Sequence, residues 1–189
     1  MDQIEHLNIT SLQERYQDFL NLDEHLKSYI FPSSNSQDQD LFLLVLFAIE
    51  NDASDLHIST SASGACVVNI ECGQTMHKYP LKMGPKAIKE KFIGLLGIPA
   101  DFSYQSAISS SFAIELLPSW AKHLHLPVVD KEPVYQIGVR VQITKTGGRD
   151  GVGIVLRFLD AHKLKTLEES FASPAVLRLL KERTSIQKT

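Results

Sequence analysis

The nine residues 41–49, "LFLLVLFAI", are apolar without interruption, and no other stretch limits the fold as strongly. A helix made from them is apolar on every side, so it cannot lie on a surface and must be wrapped by other elements. The run is also too short to cross a bilayer, which leaves the centre of a folded core as its place. Asp38 and Asp40, just before it, are of the residue type that caps a helix N-terminus. A chain of 189 residues, 43% hydrophobic and 22% charged, can bury such a core as one domain, or as one domain with a small appendage.

"ASDLHIST" follows at once and reads as the first strand of a sheet. In an extended chain Ser54, Leu56 and Ile58 share one face while Asp55 and His57 share the other. The Asp55–His57 pair has a chemical reading, a base and its orienter, but no serine or cysteine nucleophile can be placed beside it from sequence. The structural reading is favoured: Asp55 accepts bonds at a helix-to-strand corner and His57 satisfies a partner between elements.

"ACVVNIECGQTMHKYPL" then reads as a hairpin turning at Gly73 and Gln74, with a helix over residues 85–96, Pro85 in its first turn and Gly97 and Pro99 closing it. Three more strands are expected in "ISSSFAIELL", "VYQIGVRVQITKT" and "GVGIVLRFLD". The second of these alternates, with Tyr135, Ile137, Val139, Val141 and Ile143 on one face and Gln136, Gly138, Arg140, Gln142 and Thr144 on the other. Residues 118–133 are longer than a hairpin needs. Helices and strands without regular βαβ alternation predict an α+β layer fold.

At the N-terminus Leu12, Tyr16, Phe19 and Leu20 recur at helical spacing, and "SLQE" has the form of a capping box. A second short turn over residues 22–30 is expected, then the breaker-rich "FPSSNSQDQD". These signals predict a helical appendage over residues 1–31, a linker over 32–40, an α+β body over 41–171, and a C-terminal helix over 172–189 with Ser173 as cap and Pro174 in its first position.

The formal charge of -3 and pI near 6.1 give no broad attraction to nucleic acid or acidic lipid. No signal-peptide pattern occurs, so a cytoplasmic protein is expected. Cys66 and Cys72 are six residues apart on one expected strand, roughly 20 Å at full extension, too far for a disulfide; they are expected as reduced thiols. His123 and His125 in "HLH" invite a metal reading, but two ligands do not complete a site, and no metal is expected. "GGRDG", residues 147–151, lacks the lysine and hydroxyl of a phosphate loop and reads as a hairpin turn. Arg140 is set apart by its mid-strand place on a polar face, where a planar guanidinium can meet a carboxylate or phosphate; a structural ion pair is the competing reading.

The order of these pieces resembles one family. A buried helix running into "ASDLHI", a hairpin with a turn glycine at Gly73, the helix "KAIKEKFIGLLGIP", the strand "GVRVQIT", and "VLRFLD" followed by "LEESF" resemble the domain just before the motor in the hexameric traffic ATPases of type II secretion and type IV pilus assembly, over about residues 40–180. The resemblance implies a PAS-like, mostly antiparallel sheet packed by helices, with no catalytic residue in this chain. It implies that Arg140, and as a second arginine Arg157, reaches a nucleotide held by the motor, while Asp55 and His57 fix a structural corner. ATP and Mg would belong to the longer protein and no cofactor to this chain. The implied partners are its own C-terminal ATPase domain, neighbouring subunits and, through residues 1–31, inner-membrane platform proteins, in a cytoplasmic place peripheral to the inner membrane. Two departures stand out: "YQSAISSS" has no arginine where the family often has a second nucleotide-facing one, and "NIECGQ" lacks the usual arginine and aspartate before the hairpin glycine. A stand-alone PAS-like ligand-binding or interaction module is the alternative from a different class; a hydrolase using Cys66 or Cys72 with His57 is a third.

Overall fold

The computed structural model describes residues 3–22, 39–60, 64–97, 107–126, 134–145 and 151–160. The chain divides into two compact units, Met1–Leu159 and Asp160–Thr189, and apart from Asp160 the described residues all belong to the first. In chain order they form β1 (Gln3–His6), α1 (Ile9–Arg15), α2 (Gln17–Leu20), α3 (Gln39–Glu50), β2 (Asp55–Thr60), β3 (Cys66–Cys72), β4 (Thr75–Leu81), α4 (Pro85–Leu95), β5 (Ile108–Leu116), α5 (Pro118–His123), β6 (Tyr135–Lys145) and β7 (Val152–Asp160).

The seven strands make one sheet in the order β1-β4-β3-β2-β7-β6-β5. The pairs β2–β3, β2–β7, β3–β4 and β5–β6 are antiparallel, and β1 joins β4 in parallel. The architecture is therefore the expected α+β sheet with helices packed on it.

Side-chain alternation gives the sheet one apolar face. Leu56 stands opposite both Ile70 and Leu156, and Ile58 opposite both Val68 and Ile154; all six are buried. The buried positions of β6, Tyr135 through Ile143 at every second residue, continue that face. Every residue from Leu41 to Ile49 of α3 is buried in the same core, as a helix apolar all round requires. Tyr79 Oη donates to Asp40 Oδ2 at 2.9 Å, which ties the first turn of α3 to β4. Asp40 thus lies inside that turn rather than capping it, and Asp38 falls outside the described residues.

The hairpin β3–β4 turns at Gly73 and Gln74 as read from sequence, with Cys72 paired to Thr75. Gly73 has φ +60°, and Gln74 is not among the residues with positive φ, the pattern of a II′ turn, in which a side chain at the first central position is strained. Helix α4 begins with Pro85 at its first turn and buries Ile88, Phe92 and Ile93.

The N-terminal expectation needs correction. Residues 3–6 are a strand, not helix, and they extend the sheet beside β4. Leu12, Tyr16 and Phe19 are buried in the main core, so residues 3–22 do not form a separate appendage. Two contacts fix them to the end of α3: Tyr16 Oη donates to Glu50, and Arg15 Nη2 lies 2.9 Å from Glu50 Oε1. Burial and the Glu50 contact push the Tyr16 hydroxyl well above the ordinary tyrosine pKa. Phe19 also meets the edges of Trp120 and His123 on α5, at 6.3 and 5.5 Å between ring centroids. The cap of α1 is Asn8, whose side chain accepts from Thr10 N. "SLQE" is therefore interior helix and not a capping box. The expected turn over residues 22–30, except Leu22, the linker before residue 39, most of "GGRDG" and the C-terminal helix lie outside the described residues.

Candidate functional site

The candidate site lies on the sheet face turned away from α3, and its construction starts at the end of that helix. Asp52 takes φ +53°, while Ala53 N bonds Ala48 O at 2.9 Å and Asp52 N bonds Ile49 O at 3.3 Å. This is a Schellman ending with an aspartate in the left-handed position glycine commonly fills. It aims the chain into β2, and Ser54 then bonds in both directions, from its N–H to Glu71 O at 3.1 Å and by its carbonyl to Phe158 N at 3.2 Å. Asp55 is thereby fixed opposite Glu71 on β3 and opposite Arg157 on β7.

Asp55 is the one buried polar or charged residue among those described. Arg157 Nε donates to its Oδ1 at 2.9 Å, so the buried carboxylate is matched by a guanidinium whose side chain is 58% exposed. The bond raises the pKa of Arg157 further, with a smaller contribution in the same sense from nearby Glu71. His57 shares this face two residues on, half-buried and opposite Asn69 and Val155. The corner role expected for Asp55 has a physical form here: it anchors an arginine of the adjacent strand, while the backbone of Ser54 makes the corner.

Arg140 is exposed on the same face of β6, opposite Ser111 of the edge strand β5. Gly138 lies directly against Leu159, where an added Cβ would come 3.3 Å from Leu159 O, and Thr144 Oγ1 donates to Gly153 O at 3.3 Å. A regular ladder that keeps both contacts puts Arg140 opposite Arg157. Across five adjacent strands the row therefore reads Glu71, Asp55, Arg157, Arg140, Ser111. Arg157 is fastened to Asp55, whereas no carboxylate pairs with Arg140 among the described residues. Like charges directly opposite on two strands repel, and an anion between them would relieve that repulsion. Two forked guanidinium groups side by side suit a carboxylate or phosphate.

The other candidates separate from this row. Cys66 and Cys72 point to the core face, away from His57, and burial raises the pKa of both thiols, Cys72 to about 11 with a further contribution from Asp52. No cysteine–histidine couple exists there. His123 belongs to α5 and meets Phe19 edge-on, while exposed His125 follows the helix with φ +57°, so the two do not sit on one strand face as a metal reading requires. Glu71 is the site residue that sequence reading missed. Its strand parity was legible, but its place opposite Asp55 depends on a pairing between strands joined by a loop with no register signal.

No protein-family model and no curated protein matches the chain. Among solved structures, the X-ray structure of the Yersinia pseudotuberculosis ATPase DotB is similar to it with a TM-score of 0.48 and 15% sequence identity, over 68% of this chain and 31% of that one. The chain thus spans less than a third of the length of that ATPase. No helix among the described residues is long and apolar enough to cross a membrane.

Proposed function

We propose that this chain is a non-catalytic regulatory and assembly domain of a hexameric traffic ATPase serving secretion or type IV pilus assembly. In this reading Arg140 is the side chain it presents to the nucleotide of the motor. The arrangement that carries the reading is a row of two arginines on adjacent strands: Arg157 is held by Asp55, while Arg140, set opposite it by the register inferred from the Gly138–Leu159 and Thr144–Gly153 contacts, stands exposed without a carboxylate among the described residues. Such a pair is a poor choice for stability alone. It is a good one for an oxyanion that arrives from outside, and an arginine supplied to a phosphoryl group can change transfer rates by about 10³ to 10⁵.

The motor would bring ATP and Mg, and its domain and the neighbouring subunits would be the direct partners. Contact with inner-membrane platform proteins would fall to residues 1–31, where Ile4 is exposed, since the apolar stripe of α1 and α2 is used in the core. In this reading the domain works in the cytoplasm, at the periphery of the membrane. The sequence motifs "ASDLHI" and "VLRFLD" support the reading because they supply the anchored Asp55–Arg157 couple. Calorimetric titration of the isolated chain with MgATP, beside a turnover assay, tests the non-catalytic part. Neither tight binding nor hydrolysis is expected, and micromolar binding with turnover would overturn it.

A further inference from the structure

Beside the arginines, the same sheet face carries a second, chemically different constellation. We propose that Asp55, His57 and Glu71 bind a divalent transition-metal cation of the zinc class, with Arg157 orienting the aspartate. One donor atom from each of the three residues lies within 4.8 Å of the others. The fold produces this convergence: Asp55 and His57 are two apart on β2, so both point outward, and Glu71 is the direct cross-strand partner of Asp55.

Each ligand is in a state that favours metal binding. The Asp55 side chain is only 10% exposed, and a carboxylate has room for about four hydrogen bonds, yet its one side-chain bond among the described residues is that from Arg157 to Oδ1. That leaves Oδ2 without a side-chain bond among the described residues. Ligating carboxylates are themselves held by outer hydrogen bonds, and the Nε–Oδ1 bond has that form. His57 and Glu71 are half-buried, and neither side chain has a hydrogen bond or ion pair with another described residue, Glu71 acting on Arg157 only electrostatically, so binding breaks no existing bond.

The donor types select the metal. An imidazole with two carboxylates suits zinc and its neighbours, whereas magnesium and calcium prefer oxygen alone. Three protein ligands leave a fourth, tetrahedral position for water or an incoming group. The guanidinium next to Asp55 repels the cation, so the expected affinity is roughly micromolar rather than that of a closed structural site. This site does not depend on any motor and stands or falls separately from the role of Arg140.

The test is calorimetric titration of the metal-stripped full chain with zinc ion alone, with cobalt substitution as an optical reading of the ligand geometry. One equivalent of zinc should bind, cobalt should give the intense visible bands of four-coordination, and magnesium should give no heat. His57→Ala and, separately, Glu71→Gln should each weaken zinc binding by about tenfold or more, while the double change His123→Ala with His125→Ala should leave it unaltered. Absence of one-site binding, or zinc binding that survives both His57→Ala and Glu71→Gln, overturns the proposal.

Discussion

Arg157 and Asp55 occupy directly opposite positions on β7 and β2, and their 2.9 Å bond joins an exposed guanidinium to a buried carboxylate. The two ends of this pair are unequal. Arg157→Ala leaves a charge buried without its partner, whereas Asp55→Ala leaves a guanidinium that water can solvate. Arg157→Ala should therefore lower the thermal midpoint by several degrees, and by more than Asp55→Ala does. Thermal unfolding of the two variants and of the double variant checks both order and coupling: additive effects would show that the bond contributes little, and an equal or reversed order would contradict the inequality.

The N-terminal segment should behave as core. Phe19→Ala removes a ring that is 2% exposed and should cost about 3–5 kcal/mol, measured by denaturant unfolding. Deleting residues 1–22 should prevent cooperative folding, because it strips β1 from the sheet edge and uncovers the apolar side chains packed under α1.

Cys72 should be a slow thiol. With its pKa pushed up to about 11, little thiolate exists near pH 8, and only the thiolate attacks a disulfide reagent. Native protein should label far more slowly than protein in denaturant, where two thiols per chain react, and native labelling should accelerate as pH rises toward 11. The sign for stability follows from the raised value: the contribution is complete below the ordinary thiol range and is lost as pH rises through the folded value.

Several of these features were legible because local chemistry decides them. The apolar run of α3, the alternation of β6, the glycine of the β3–β4 turn and Pro85 at the start of α4 each carry their own periodicity or conformational restriction. β1 carries none: four residues joined in parallel to a distant hairpin are specified by that hairpin's free edge. The same limit hid Glu71 opposite Asp55 and Arg157 opposite Arg140, since strand parity gives the face of a residue but not its neighbour. At α1, the side chain of Asn8 reached Thr10 N and won the cap over Ser11, three residues earlier than the sequence pattern indicated.

Gly73 should resist replacement. Gly73 is exposed with nothing near an added Cβ, so the cost of Gly73→Val is backbone strain alone, about 1–3 kcal/mol. Equilibrium unfolding measures it, and a neutral result would mean that the turn relaxes to another type.

The role of Arg140 is decided by steady-state ATP turnover of a motor-containing protein with Arg140→Ala, read beside thermal unfolding of the same change in this chain. The expected result is a severe loss of turnover with hexamer assembly retained, an unfolding midpoint unchanged or slightly raised because the side chain is exposed and its loss relieves the opposition to Arg157, and poor rescue by Arg140→Lys, whose point charge does not reproduce the planar fork. Full turnover by Arg140→Ala, or a chain that unfolds readily once Arg140 is removed, would contradict it and return Arg140 to a structural role.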